Sequence, residues 1–211
     1  MAADQKPSYE YLENLTEKLI KVILPLGVSF AGEKDVNRLL ERILLEAQNL
    51  CNADGGTLYL RSKDRTLRFV MIHTKSLGIA AGGTTGKPIT FPPLPTLDPK
   101  TGSANMSNIA TYVALSGEKV NIANIYEETK FDVSGAKSFD AKNNYKSISC
   151  LAVPLLDQNR VPIGVVQLIN AVDPMTNAII PFNNLLVQIV EALVVMASIG
   201  LQRHIDNLQG K

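Results

Sequence analysis

Asp132 and Asp140 form the pair whose spacing comes nearest to acid–base chemistry. Each follows a phenylalanine, in KFD and SFD, within the polar segment ETKFDVSGAKSFDAKNNYKS, residues 128–147. General acid–base work needs one carboxyl protonated and its neighbour ionised. Nothing around either aspartate marks such a split, and both suit caps for the turns SGAK and AKNN equally well. A second candidate, Cys150 with His73 or His204, would need long-range geometry. Cys150 also stands in an apolar strand pattern, SISCLAVPLLD, where thiols are inert.

Phosphate and metal chemistry fare worse. AGGTTGKP, residues 81–88, has Ala81 where a phosphate loop needs its first glycine, and Pro88 where the magnesium-binding hydroxyl should follow Lys87. The two histidines lie in unrelated segments without ligand-spaced neighbours, and the two cysteines form no CxxC pair. No catalytic or metal-ligating set emerges, and the chain reads as a non-enzymatic domain.

Several elements must position these residues. Residues 9–24 carry leucines and isoleucines at helical spacing behind a Ser8 cap, with Pro25 and Gly27 predicted to stop or bend that helix. A second helix starts at Asp35 and places Val36, Leu39, Leu40, Ile43, Leu44 and Ala47 on one stripe. GGTLYLRSKDRTLRFVMIH predicts a hairpin, and residues 78–107 predict a long irregular connection rich in Gly, Pro and Thr. A short helix over 108–116, a short strand in KVNIANI and a lid-like loop with one helical turn over 128–147 follow.

SISCLAVPLLD and VPIGVVQLINA then form the clearest hairpin, with Pro154 and Pro162 pointing to an edge, a bulge or unbonded positions. The closing helix, about 182–208, is apolar around most of its circumference, which calls for burial on several sides. Its LLVQIVEALVVMASIGL run, interrupted by Gln188 and Glu191, reads as protein-buried and not as a membrane span. This element order predicts an α+β fold, an antiparallel sheet with helices on one side.

Composition agrees. A net charge of +1 gives no footprint for nucleic acid, and 45% hydrophobic residues suit a folded core. Two cysteines in apolar contexts indicate buried thiols in a reducing, cytoplasmic setting.

The ordered series NIANIY, KFD, SFD, NNYKSISCLAVPLLD and PIGVVQLIN, residues 121–170, resembles the GAF domain family, and the likeness extends over about residues 15–205. It is most similar to GAF domains of cyclic-nucleotide phosphodiesterases, adenylate cyclases and related bacterial signalling proteins. The resemblance implies a six-stranded antiparallel sheet with terminal helices on one face and ligand-covering loops on the other. It also implies a homodimer through those helices and an attached output domain, with residues 1–30 at the dimer interface, 31–205 as the GAF domain and 206–211 as the start of a connector.

By the same resemblance, Thr57 faces a ligand base, the backbone of Ile109 and Ala110 approaches a phosphate, and Asp140, Ser147 and Gln167 supply polar contacts. Asn143 or Asn144 stands where threonine is frequent. Phe131, Phe139 and Tyr145 either stack on a planar ligand or anchor their loop to the core. The family's cyclic-nucleotide signature, NKFDE, survives only at Asn170. Ala171, Ile179 and the pair Asn183-Asn184 replace the lysine, phenylalanine and acids. The expected ligand is therefore a cyclic nucleotide or another small planar molecule, with no certain cofactor. Readings kept open are a ligand-free structural dimerisation domain and a cyclic-nucleotide binder despite the degenerate signature. Bilin attachment lacks a Cys-His pair, and sulfoxide reduction lacks its cysteine set.

Overall fold

The computed structural model describes residue 13 and residues 16–209, with side chains through His204. The expected cap Ser8 and the first turns of the N-terminal helix lie outside the described residues, as do 210 and 211 at the end of the predicted connector.

Pro25 does not end the first helix, so of the expected stop or bend the stop does not occur. A π-helical turn, Leu19–Ile23, precedes α1, Leu24–Gly32, and puts Pro25 in α1's first turn. There the missing N–H is tolerated because the wider turn has already shifted the bonding pattern. α2, Val36–Cys51, begins where Asp35 accepts N–H bonds from Asn37 at 2.8 Å and Arg38 at 3.2 Å, and ends at the left-handed Asn52.

One antiparallel sheet follows. Its main path has six strands in the order β3-β2-β1-β7-β6-β5, namely Ile79–Gly82, Thr66–Thr74, Ala53–Arg61, Pro162–Val172, Cys150–Leu156 and Val120–Ile122. β4, Leu94–Pro95, pairs with β2, and β8, Ile179–Ile180, pairs with β7. β3 and β4 add two short strands to the 78–107 segment, for which the sequence predicted a long connection or an irregular lobe. IAAG and a two-residue strand are too short and weakly apolar to show a period of two.

The prolines occupy tolerated places. β5 covers β6 only from Cys150 to Ala152, so Pro154 lies beyond that partner, and Pro162 opens β7.

Helices α3, Ile109–Ser116, and α4, Ser134–Asn143, lie on the sheet's second side, while α1, α2 and α5, Asn184–Gln209, back its first. α4 is a ten-residue helix where the sequence predicted a loop with one helical turn. Two cores result. Leu39, Leu44, Leu58, Val166, Leu168 and Leu193 meet between sheet and terminal helices. Tyr59, Leu67, Val113, Ile125, Phe131 and Val165 meet on the opposite face.

α5 crosses α1 closely. A Cβ on Gly200 would stand 2.9 Å from the Phe30 carbonyl oxygen, so only glycine permits this approach. The window Asn184–His204 is long and apolar enough by composition to cross a membrane, and 50% of it is buried against the rest of the protein.

Candidate ligand cavity

The sheet's second face encloses a cavity of about 370 Å³ beneath α3, α4 and the β4 segment. Alternation along β1 aims Gly55, Thr57 and Tyr59 into it, while Gly56 and Leu58 meet the helices behind. Thr57 sits in register with Gln167 on β7 and Ile72 on β2.

A bulge enlarges the wall. Leu58 pairs with Met71 but Tyr59 with Phe69, leaving Val70 as the extra residue. Without it, strict alternation would send Phe69 and Ile72 to opposite faces. With it, both line the cavity. Gly82, at φ 81°, accommodates the displaced strand: a Cβ there would stand 2.2 Å from the Val70 carbonyl oxygen.

The lid is held by its aspartate. Asp140 is buried, and its carboxylate accepts the Ser147 N–H and Oγ–H at 2.8 Å each, and the Tyr126 hydroxyl at 2.8 Å. It fastens α4 to the segment that follows and does not line the cavity. Asn170 fixes the same segment from β7. Buried and at φ 58°, it accepts the Ile148 N–H at 2.7 Å and donates to the Lys146 carbonyl at 2.8 Å and to the Tyr145 oxygen at 3.0 Å. Tyr145 in turn donates to Asp54 at 2.7 Å. Burial, then the Asp54 carboxylate, push the Tyr145 phenol well above its ordinary range, so it remains a donor.

Of the sequence-predicted residues, Thr57, Ile109, Ala110, Phe139, Tyr145, Ser147 and Gln167 line the cavity. Three stand elsewhere. Phe131 packs edge-on against Tyr112, with centroids 5.2 Å apart; Asp140 lies behind Ser147; Asn144 is the left-handed C-cap of α4. Phe139 meets Tyr145 edge-on at 6.1 Å.

The sequence reading missed Tyr59, Phe69, Phe91, Thr74 and Asn108 on the wall. Phe69 and Thr74 lie in a recognisable strand, but they stand five residues apart and share the cavity face only through the bulge at Val70, which no period of two announces; Phe91 sits in a segment without pattern. Asn108, expected as the first residue of the short helix, is its N-cap. Its Oδ1 accepts the N–H groups of Ala110 at 2.9 Å and Thr111 at 3.2 Å.

The polar floor is interlocked. Tyr59 donates to Gln167 Oε1 at 3.1 Å, and Gln167 Nε2 meets Cys150 Sγ at 3.3 Å. Burial raises the Tyr59 phenol and pushes both thiols, Cys51 and Cys150, up to about 12, leaving them protonated. Among the described residues, no three His, Cys, Asp or Glu side chains converge as a metal site would need. His73 Nδ1–H instead donates to Gln48 Oε1 at 2.8 Å, and His204 Nε2 bonds the Glu33 carbonyl at 2.9 Å.

Comparison with known proteins agrees with this architecture. The chain is 28% identical over 177 residues to the dual 3′,5′-cyclic-AMP and -GMP phosphodiesterase 11 of Drosophila melanogaster, covering 79% of this chain and 11% of that protein. It is 29% identical over 169 residues to the probable 3′,5′-cyclic phosphodiesterase pde-5 of Caenorhabditis elegans, covering 76% and 21%. The chain thus spans about a tenth to a fifth of these relatives. Among solved structures, the GAF domain of a phosphoenolpyruvate-protein phosphotransferase from Coxiella burnetii superposes with a TM-score of 0.65 at 10% identity, over 93% of this chain and 99% of that one. The free methionine-R-sulfoxide reductase of Neisseria meningitidis, in complex with its substrate, gives 0.60 at 13%, over 98% of each. The GAF domain pattern itself matches residues 35–201, and the chain belongs to the GAF domain family.

Proposed function

We propose that this chain is the small-molecule-sensing and dimerisation domain of a cytoplasmic signalling protein, whose output domain lies outside it. The carrying observation is the placement of the cavity. Its floor strands, β1 and β7, present Thr57 and Gln167 to the cavity and Leu58 and Val166 to the terminal helices. A ligand that orders the lid and floor therefore acts on the strands against which the terminal helices pack, shifting a two-state balance. The phosphodiesterase names of the relatives support a signalling context.

Dimerisation rests on the outer side of those helices. Val28 is 76% exposed, Val195 58% and Ile199 53%, alongside Ile20 and Leu24. Such apolar exposure on the two elements that would carry the signal fits an isologous interface with a second copy. Thermal denaturation against a metabolite panel tests sensing, with stabilisation by one compound expected and a wholly unresponsive panel refuting it. Sedimentation tests assembly. A dimer that becomes monomeric in Val28→Glu is expected, and a monomer at micromolar concentration in the unaltered chain would refute it.

A further inference from the structure

The cavity belongs to a family whose matched relatives act on cyclic nucleotides, yet its electrostatics oppose a phosphate. No Lys, Arg or His is among its lining residues. A phosphate would call on the first amides of α3, at the cavity wall. Two of the first three, those of Ala110 and Thr111, are already bonded to Asn108 Oδ1, which leaves only that of Ile109 outside the cap. A phosphate oxygen would have to displace that carbonyl oxygen, gaining little and leaving the amide side chain to find new partners.

One carboxylate lines the space and two more stand behind its wall. Asp132 lines it, and its bonds from Ser134 hold its carboxyl below the usual carboxylate range, so it is ionised at neutral pH. Asp54 stands one hydrogen bond behind Tyr145 and Asp140 one behind Ser147. The lysines of the lid region are exposed: Lys130 Nζ lies 4.6 Å over Tyr112, and Lys137 and Lys146 each 5.5 Å over Tyr126. Tyr112 and Tyr126 do not line the cavity.

The remaining wall suits a flat ring. Tyr59, Phe69 and Phe91 form a chain of tilted aromatic contacts at 4.7 and 5.6 Å, with Phe139 on the lid. Between them, Thr57, Thr74, Ser147 and Gln167 offer hydrogen bonds. The carbonyl of Gln167 is taken by Tyr59, whereas its amide N–H groups have only a sulfur, a weak acceptor, so they are free to donate to a ring nitrogen or carbonyl.

We infer that this cavity takes a planar nitrogen heterocycle without a phosphate, of the nucleobase or nucleoside class, and discriminates against cyclic nucleotides. The inference rests on the sensing reading above, and it turns on Asn108, which acts as a built-in occupant of the anion position.

Calorimetric titration with two probe pairs that differ in the phosphate tests it: adenosine against cyclic AMP, and guanosine against cyclic GMP. One nucleoside should bind at least about tenfold tighter than its cyclic phosphate. Asn108→Gly, which frees the two amides, should narrow that gap by strengthening the cyclic nucleotide. Asn108→Asp keeps the helix cap and adds a negative charge, so it should widen the gap without loss of fold. Cyclic AMP or cyclic GMP binding the unaltered chain as tightly as its nucleoside would overturn the inference and leave the sensing reading intact. Failure of all four probes would overturn it too, while the sensing reading would still stand or fall by the broader panel.

Discussion

The two faces of this sheet are built from alternate residues of the same strands, yet they serve opposite ends. Behind the sheet, Phe30, Leu39, Ile43, Leu193 and Ala197 are wholly buried, and two glycines let α1 and α5 approach closely. In front, a smaller set of aromatic and aliphatic side chains surrounds a space they do not fill. Close packing gives the rear face its stability. The front face is held by buried polar bonds, Asp140 to Ser147 and Asn170 to the 145–148 segment, which fix a shape without filling it. A sheet can thus be rigid on one side and receptive on the other, provided directional bonds replace packing where volume must be left open.

That contrast predicts unequal responses to substitution. Phe30→Ala should cost the most, about 3–5 kcal/mol in chemical denaturation, because its ring is fully enclosed and the crossing with α5 cannot collapse. A cost below about 1 kcal/mol would show the rear face to be loosely packed. Asn170→Ala should follow at about 2–3 kcal/mol, since it leaves the Ile148 amide and Lys146 carbonyl without their partner and puts alanine at a positive φ. Hydrogen exchange should then show the 145–149 segment opening before the rear helices. Simultaneous opening of both would erase the distinction between the faces.

Filling the cavity should do little to the fold. Thr57→Leu adds apolar volume beside existing space, so stability should change by less than about 1 kcal/mol, while any ligand-induced thermal shift disappears. A large loss of stability would mean the space is smaller than its walls suggest.

The smallest effect concerns pH. His73, bonded to Gln48 on the helix side, has its pKa lowered by desolvation first and by Lys75 second, with Asp54 and Glu41 opposing. The unfolded chain therefore takes up the proton more readily than the folded one. Stability from this residue is complete above the unfolded pKa near 6.5 and is lost as pH falls below it. His73→Gln should flatten the pH 5–7 dependence of the melting temperature, and an unchanged profile would place the titrating group elsewhere.

Much of the rear face was legible beforehand. The α2 stripe, the Asp35 cap and the two long hairpins all announce themselves through local period and turn chemistry. β3 and β4 did not, because short edge strands are specified by pairing to β2 and not by their own residues. Pro25 left stop and bend undivided for a related reason: a proline's cost depends on the turn that precedes it.

At the cavity the division is sharper. The ordered phenylalanine-aspartate segment and the hairpin strands carried the family resemblance, and with it residues such as Thr57, Phe139 and Gln167 that the structure brings to one cavity. Sequence could not say that Asp140 spends its carboxylate on Ser147 and Tyr126, that Phe131 turns to Tyr112, or that Asn108 covers the α3 amides. Periodicity, caps and turns depend on neighbours a few residues away, so the chain determines them by itself. Which polar group satisfies which, and where volume is left unfilled, depends on residues far apart in sequence, and only the assembled sheet with its lid decides it.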